Sequence, residues 1–123
     1  MKQIDLAIID DDDAVRDSLS ALLTVSGYSS QSFDSAIDFL RSDLKPKVVV
    51  LDLYMPAMSG LELVDRLRSS GDMTPVILIS GEFKESDYRQ AKSLNVDKFL
   101  EKPFTDEDLL KALEEIGTFP SSC

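Results

Sequence analysis

Ile4-Asp5-Leu6-Ala7-Ile8-Ile9-Asp10-Asp11-Asp12-Asp13 places four consecutive carboxylates at the end of a mostly apolar run. The apolar part is too short for a helix and reads as a buried strand. The same design recurs downstream. Val48-Val49-Val50-Leu51 stops on Asp52, Val76-Ile77-Leu78-Ile79 stops on Ser80, and Phe99-Leu100 leads into Glu101-Lys102-Pro103. Short buried strands that each end on a polar side chain predict a parallel sheet with a site at its carboxyl edge, where ligands of open α/β sheets bind.

Between these runs the apolar spacing changes to that of helices. Asp12 or Asp13 can cap a helix bearing Val15, Leu19, Leu22 and Leu23, and Gly27 closes it. Tyr28 to Phe33 alternates weakly and reads as an edge strand. Ser35-Ala36-Ile37-Asp38 opens a short helix carrying Ile37, Phe39 and Leu40. Lys47 to Asp52 is the most apolar strand and belongs in the middle of the sheet. After a loop from Tyr54 to Gly60, Ser59-Gly60-Leu61-Glu62 forms a capping box for a helix with Leu61, Val64 and Leu67, ended by Gly71. Pro75 to Ser80 is the fourth strand. A helix from about Glu85 to Leu94 sets Tyr88, Ala91 and Leu94 on one face, and Asp97 to Leu100 is the fifth strand. Thr105-Asp106-Glu107-Asp108 caps a last helix with Leu109, Leu110, Leu113 and Ile116. Tyr88, Phe104 and the leucine stripes read as core. The regular alternation predicts one doubly wound α/β domain over residues 1–117, with 118–123 a tail or the start of a linker.

Composition narrows the function. A chain of 123 residues with 43% hydrophobic content can bury a core as one soluble domain. A net charge of −10 opposes direct binding to nucleic acid or to an anionic membrane. No apolar stretch approaches the ~20 residues of a membrane span, and Met1-Lys2-Gln3-Ile4-Asp5 carries no signal-peptide core. The single Cys123 permits no internal disulfide, and the expected location is cytoplasmic.

Acids at a helix start are commonplace. Here, however, Asp52 ends the neighbouring strand. Two like charges ~4 Å apart repel by on the order of 4 kcal/mol at an effective dielectric of 20. Converging carboxylates therefore call for a cation, and an all-oxygen set suits Mg²⁺ or Mn²⁺. The chain has no His, and its one Cys is terminal, so zinc has no ligands. Taken with Ser80 and Lys102, the pattern fits phosphoryl chemistry. A carboxylate can act as nucleophile toward phosphorus, while the metal and a lysine balance the transferring charge.

Asp10-Asp11, the stretch from Leu51 through Asp52, Pro56 and Ser59 to Gly60, Ser80-Gly81, and Glu101-Lys102-Pro103-Phe104 together resemble the motif set of bacterial two-component response-regulator receiver domains. The resemblance runs from about residue 3 to residue 116. It implies a (βα)5, flavodoxin-like fold with a five-stranded parallel sheet in the order 2-1-3-4-5. It also implies that Asp52 is the phosphoacceptor. Asp11 and Asp52 would hold Mg²⁺ directly, Asp10 through water, and the Tyr54 backbone carbonyl would complete the protein ligands. Ser80 is then the switch hydroxyl, Phe99 the switch aromatic, and Lys102 the partner of a phosphoryl oxygen, with a cis Lys102–Pro103 peptide. Gly81 leaves room for the phosphoryl group, and Tyr54 and Glu82 occupy the positions that tune its loss.

The implied partner is a sensor histidine kinase or a phosphotransfer protein, because a chain without His cannot present a phosphohistidine itself. Phosphorylation-dependent homodimers belong to the same resemblance. The acidic last helix, with Glu107, Asp108, Glu114 and Glu115, lacks the arginines of the usual winged-helix dimer network. One alternative is an Mg²⁺-dependent phosphohydrolase with an Asp nucleophile. It requires a second Asp two residues after the nucleophile, where this chain has Tyr54. A flavodoxin-like redox or nucleotide-binding protein would need a glycine-rich phosphate loop after the first strand, where the acids stand instead.

Overall fold

A computed structural model describes residues 2–120. Five strands and five helices alternate along the chain. They are β1 (Lys2–Ile9), α1 (Asp13–Val25), β2 (Ser30–Phe33), α2 (Ala36–Arg41) and β3 (Leu44–Asp52), then α3 (Gly60–Ser69), β4 (Val76–Ser80), α4 (Glu85–Ser93), β5 (Lys98–Glu101) and α5 (Asp106–Ile116). The strands form one sheet in the order β2-β1-β3-β4-β5, parallel throughout. This is the flavodoxin-like order implied by the resemblance, with the most apolar strand at its centre.

Because side chains alternate across a strand, the buried runs feed two separate cores. Ala7, Ile9, Val49, Leu51 and Leu78 face Phe39 of α2, Leu63, Val64 and Leu67 of α3 and Ala91 of α4. Leu6, Ile8, Val48, Val50, Ile77 and Ile79 face Leu19 and Leu23 of α1 and Leu109 and Leu113 of α5. The central strands therefore have to be apolar on both faces, which is why they read as continuous rather than alternating runs.

Helix starts follow local chemistry. The Asp12 side chain caps α1, accepting from the Ala14 and Val15 N–H groups, and Ser35 caps α2. The expected capping box of α3 forms between Ser59 and Glu62, and that of α5 between Thr105 and Asp108. Each such cap contributes about 1 kcal/mol by satisfying otherwise open N–H groups.

Besides shifts of one or two residues at the ends of β1, β4 and β5, four features differ from the sequence reading. The central strand starts at Leu44 rather than Lys47, and takes in Pro46 along a stretch flanked by β1 but not yet by β4. The edge strand starts at Ser30, not Tyr28. Tyr28 is instead a buried residue between α1 and β2, whose hydroxyl donates to the Thr118 carbonyl at 3.1 Å. Thr118, expected as the first tail residue, is itself buried. Residues 121–123, including Cys123, lie outside the described residues. Finally, Tyr88 is not core. It is 38% exposed and packs against Phe83 and Phe99, with ring centroids 5.3 and 5.0 Å away. Its helical spacing with Ala91 is real, but α4 is a thin cover in which Ala91 is the buried residue, so the tyrosine lies over the helix edge against other aromatics.

Candidate functional site

Strand register brings the polar ends together. Ile9 pairs with Leu51, so Asp10 and Asp52 leave β1 and β3 side by side. Asp52 pairs with Ile79, and Ser80 with Glu101, so Ser80 and then Lys102 follow on β4 and β5. A one-residue slip would turn these side chains to the opposite face, so the buried pattern of the strands is what sets the site.

Asp10 is fully buried and Asp52 nearly so, while Asp11 is exposed. One carboxylate oxygen from each lies within 4.8 Å of the others. The Lys102 ammonium reaches in from β5 and donates to Asp52 Oδ1 at 3.2 Å and to Asp10 Oδ2 at 3.3 Å. The remaining Asp10 oxygen accepts from the Asp12 N–H at 2.9 Å. The Arg16 guanidinium donates to the Asp10 carbonyl at 2.6 Å and pairs with Asp13. Lys102 is held from behind, its own N–H donating to the Ser80 carbonyl at 2.7 Å, and the Lys102–Pro103 peptide is cis.

This charge balance is incomplete. Burial pushes the Asp52 carboxyl up to about 6, and Asp10 adds to the shift, while the Lys102 ammonium pulls against it. Burial also works against the Lys102 ammonium, but Asp52 and Asp10 outweigh it and hold its pKa above the ordinary lysine value. One lysine thus faces two buried carboxylates and a third at the rim, and the cleft favours additional positive charge. The donor set is all oxygen, which fits a hard divalent ion such as Mg²⁺.

The surrounding residues define the cleft mouth. Ser80 is buried, and its hydroxyl donates to the Glu82 carbonyl at 2.7 Å while accepting from the Glu82 N–H at 3.2 Å. Its hydrogen bonds therefore run along its own loop rather than to Asp52. A Cβ at Gly81 would meet no atom within 4 Å. Tyr54 and Glu82 are exposed at the rim. Phe99 is half-buried on β5, edge-on to Phe83 at 5.6 Å between centroids.

In the sequence Gly60 closes the Leu51–Gly60 motif stretch and sits in a capping box, but neither reading marks the contact it makes. A Cβ there would lie 2.5 Å from the Asp52 carbonyl oxygen and 3.0 Å from Leu53 Cα. The start of α3 is pressed directly against the chain that carries Asp52, and the Gly60 N–H donates to the Leu53 carbonyl at 2.8 Å. Gly60→Ala is expected to cost about 1–3 kcal/mol, as overpacking against backbone does, and to shift Asp52. A denaturant titration checks the first effect. An unchanged midpoint would show that the two segments can part without cost.

Residues 6–114 match the response regulator receiver domain family, and the chain belongs to that family. Its fold and its polar strand ends are those of a signalling receiver. Among curated relatives, response regulator MprA of Mycolicibacterium vanbaalenii is 37% identical over 114 residues, covering 90% of this chain and 49% of that protein. MprA of Mycobacterium avium is 36% identical, with 90% and 50% covered. The chain thus spans about half the length of the curated relatives it matches. Among solved structures, FixJ-N superposes with a TM-score of 0.81 at 35% identity, covering 93% of each chain. The BeF3-activated DrrB receiver domain gives 0.81 at 27% identity, covering 94% of this chain and 97% of that one. A CheY-like receiver protein from Methanospirillum hungatei, at 24% identity and a TM-score of 0.85 over 94% of this chain and 93% of that one, shares the fold.

Proposed function

We propose that this domain accepts a phosphoryl group on Asp52 from a phosphohistidine of a sensor histidine kinase or phosphotransfer protein, and changes conformation when it does. The observation that carries the reading is the placement of Asp52. It is a buried carboxylate beside Asp10 and Asp11, with Lys102 bridging it to Asp10. An Asp52 oxygen attacks phosphorus and the phosphorus–nitrogen bond breaks. The imidazole nitrogen keeps the electron pair and takes a proton from water, leaving neutral histidine and an aspartyl phosphate. Lys102, already within reach of Asp52, pairs with a phosphoryl oxygen, and Ser80 binds another once it leaves Glu82. Asp10, Asp11, Asp52 and the Tyr54 backbone carbonyl would hold Mg²⁺, or Mn²⁺, whose charge keeps Asp52 ionised and offsets the phosphoryl oxygens. Tyr54 and Glu82 flank the path by which water reaches the phosphate, so the domain assists its own dephosphorylation at a rate these side chains set. Phe99 follows Ser80 as the second half of the switch.

The wider setting follows from the relatives. Residues 1–117 are read as the receiver and 118–123, where Thr118 still packs onto the domain, as a tail or the start of a linker, the latter favoured by relatives about twice as long. Phosphorylation would act through the face built from α4, β5 and α5, and a homodimer formed through it is one route to output. The described residues contain no helix long and apolar enough to cross a membrane, and the proposed location is the cytoplasm. The phosphohydrolase alternative has no acid at Tyr54 to protonate a leaving group.

Acetyl phosphate with Mg²⁺ tests this reading. The intact chain should gain one phosphoryl group, and chelator should stop the gain. Asp11→Asn should slow labelling by roughly tenfold or more, since losing a direct ligand costs at least as much as losing a group that only supports one. Mg²⁺ at 100 times its dissociation constant should add about 2.7 kcal/mol of stability to the wild type. Identical melting curves and labelling rates with Mg²⁺ and with chelator would show that the acidic cluster holds no metal.

A further inference from the structure

Two sets of hydrogen bonds hold the segment between β4 and α4. One is the Ser80–Glu82 pair already described. The other lies at the far end, where Asp87 in the first turn of α4 accepts with Oδ2 from the Lys84 N–H at 2.8 Å and from the Tyr54 hydroxyl at 2.7 Å. Tyr54 is 33 residues earlier, on the segment between β3 and α3, so this second tie joins two different segments. It is a bond from a hydroxyl to a carboxylate, stronger than a neutral one. Its hold on the phenol proton raises the Tyr54 pKa, with burial and Glu82 adding to the effect. The Tyr54 ring is half exposed, so packing does little to confine it.

We propose that the Tyr54–Asp87 hydrogen bond is a latch on the resting arrangement of the β4–α4 segment, and that Asp87 is a positioning residue setting how readily the domain adopts its phosphorylated arrangement. The proposal rests on the reading of Asp52 as acceptor. Ser80 can reach a phosphoryl oxygen only by leaving Glu82, and the segment 81–84 moves with it. That movement is transmitted to the start of α4, and therefore to Asp87. Tyr54, two residues after Asp52, stays with the end of β3. The bond spans a moving and a fixed segment and stabilises one arrangement only. An interaction present in one of two states shifts their populations by its full worth.

Beryllofluoride, a phosphoryl mimic, titrated with Mg²⁺ into the full 123-residue chain tests this. Binding is followed by NMR shifts in residues 82 to 104 for wild type, Tyr54→Phe, Asp87→Ala and the double variant. Tyr54→Phe should bind roughly tenfold more tightly, the low end of the worth of one hydrogen bond to a charged group, as befits an exposed pair. The double variant should match Asp87→Ala, because the hydroxyl has then lost its partner. Amides 82 to 87 should exchange faster in ligand-free Tyr54→Phe. Asp87→Ala also removes an acceptor that caps α4, so Tyr54→Phe is the deciding variant. Unchanged or weaker binding by Tyr54→Phe overturns the latch. So does an equal effect of that substitution in the Asp87→Ala background, which would place the hydroxyl's action at the site itself. If the wild type binds no beryllofluoride, the acceptor reading fails instead, and unchanged amide exchange in Tyr54→Phe would then reject the latch on its own.

Discussion

Asp52→Asn should abolish labelling by acetyl phosphate while making the metal-free protein more stable at neutral pH. The first effect follows because the amide removes the nucleophile, and neither Asp10, buried behind Lys102, nor exposed Asp11 shares its position. The second follows from electrostatics. In the folded chain the Asp52 pKa is raised to about 6 by burial, with Asp10 adding to it. A carboxyl whose folded pKa lies above its unfolded one contributes stability that is fully present below the unfolded pKa, near the ordinary carboxylate value. That contribution is lost as pH rises through about 6. In chelator, wild-type stability from this group should therefore decline between about pH 4 and pH 6. Asp52→Asn should lack the decline and be more stable at pH 7 by about 1–2 kcal/mol, after discounting for solvent that still screens the cleft. Added Mg²⁺ should narrow the difference by stabilising the wild type. Intact mass after labelling and chemical melts at several pH values are the measurements. Full labelling of the variant would place the acceptor elsewhere, and parallel melts across the pH range would mean that Asp52 carries no burial cost.

Ser80→Ala should leave the domain able to take a phosphoryl group on Asp52 but should largely disconnect that event from the surface of α4, β5 and α5. Ser80 is the residue whose hydroxyl both closes the resting loop onto Glu82 and stands one step beyond Ile79, the strand partner of Asp52. Without the hydroxyl, a phosphoryl group loses one of its donors but keeps Lys102. Labelling by acetyl phosphate should slow by roughly tenfold, about the worth of one hydrogen bond to a charged group. The perturbation of residues 82 to 104 by beryllofluoride should shrink far more, because a ligand shifts a two-state element only through contacts that differ between its states. Phe99 supplies an internal reporter. It packs edge-on against Phe83 and Tyr88, and its ring shifts should change with beryllofluoride in the wild type and stay near their resting values in the variant. Equal responses in both proteins would show that coupling bypasses Ser80.

The order of elements was legible in the residues because each strand and helix carries its own local cause. Val48 to Leu51 is apolar throughout and becomes the centre of the sheet. Ser59 with Glu62 and Thr105 with Asp108 write their helix starts in the chain itself, since a cap is satisfied within four residues. The coincidence of Asp10, Asp52, Ser80 and Lys102 at strand ends could also be anticipated, because period-two alternation and two buried faces leave little freedom in register. Asp12 as the α1 cap belongs to the same class.

Tertiary structure decided what depends on partners distant in sequence. Tyr88 has the helical spacing of a core residue, yet it lies exposed against Phe83 and Phe99, because the cover that α4 gives the sheet is narrow there. Tyr28 and Thr118, 90 residues apart, meet in a buried hydrogen bond. No local pattern marks that pairing. Gly60 reads as an ordinary helix start until the fold brings it against the Asp52 carbonyl. The Tyr54–Asp87 bond, 33 residues across, likewise arises from segments brought together by the sheet. The chain by itself therefore determined which chemistry gathers at the carboxyl edge, since hydrophobic periodicity and caps are local. How that chemistry is held and released depends on side chains meeting across separate segments, and only the assembled fold sets those meetings.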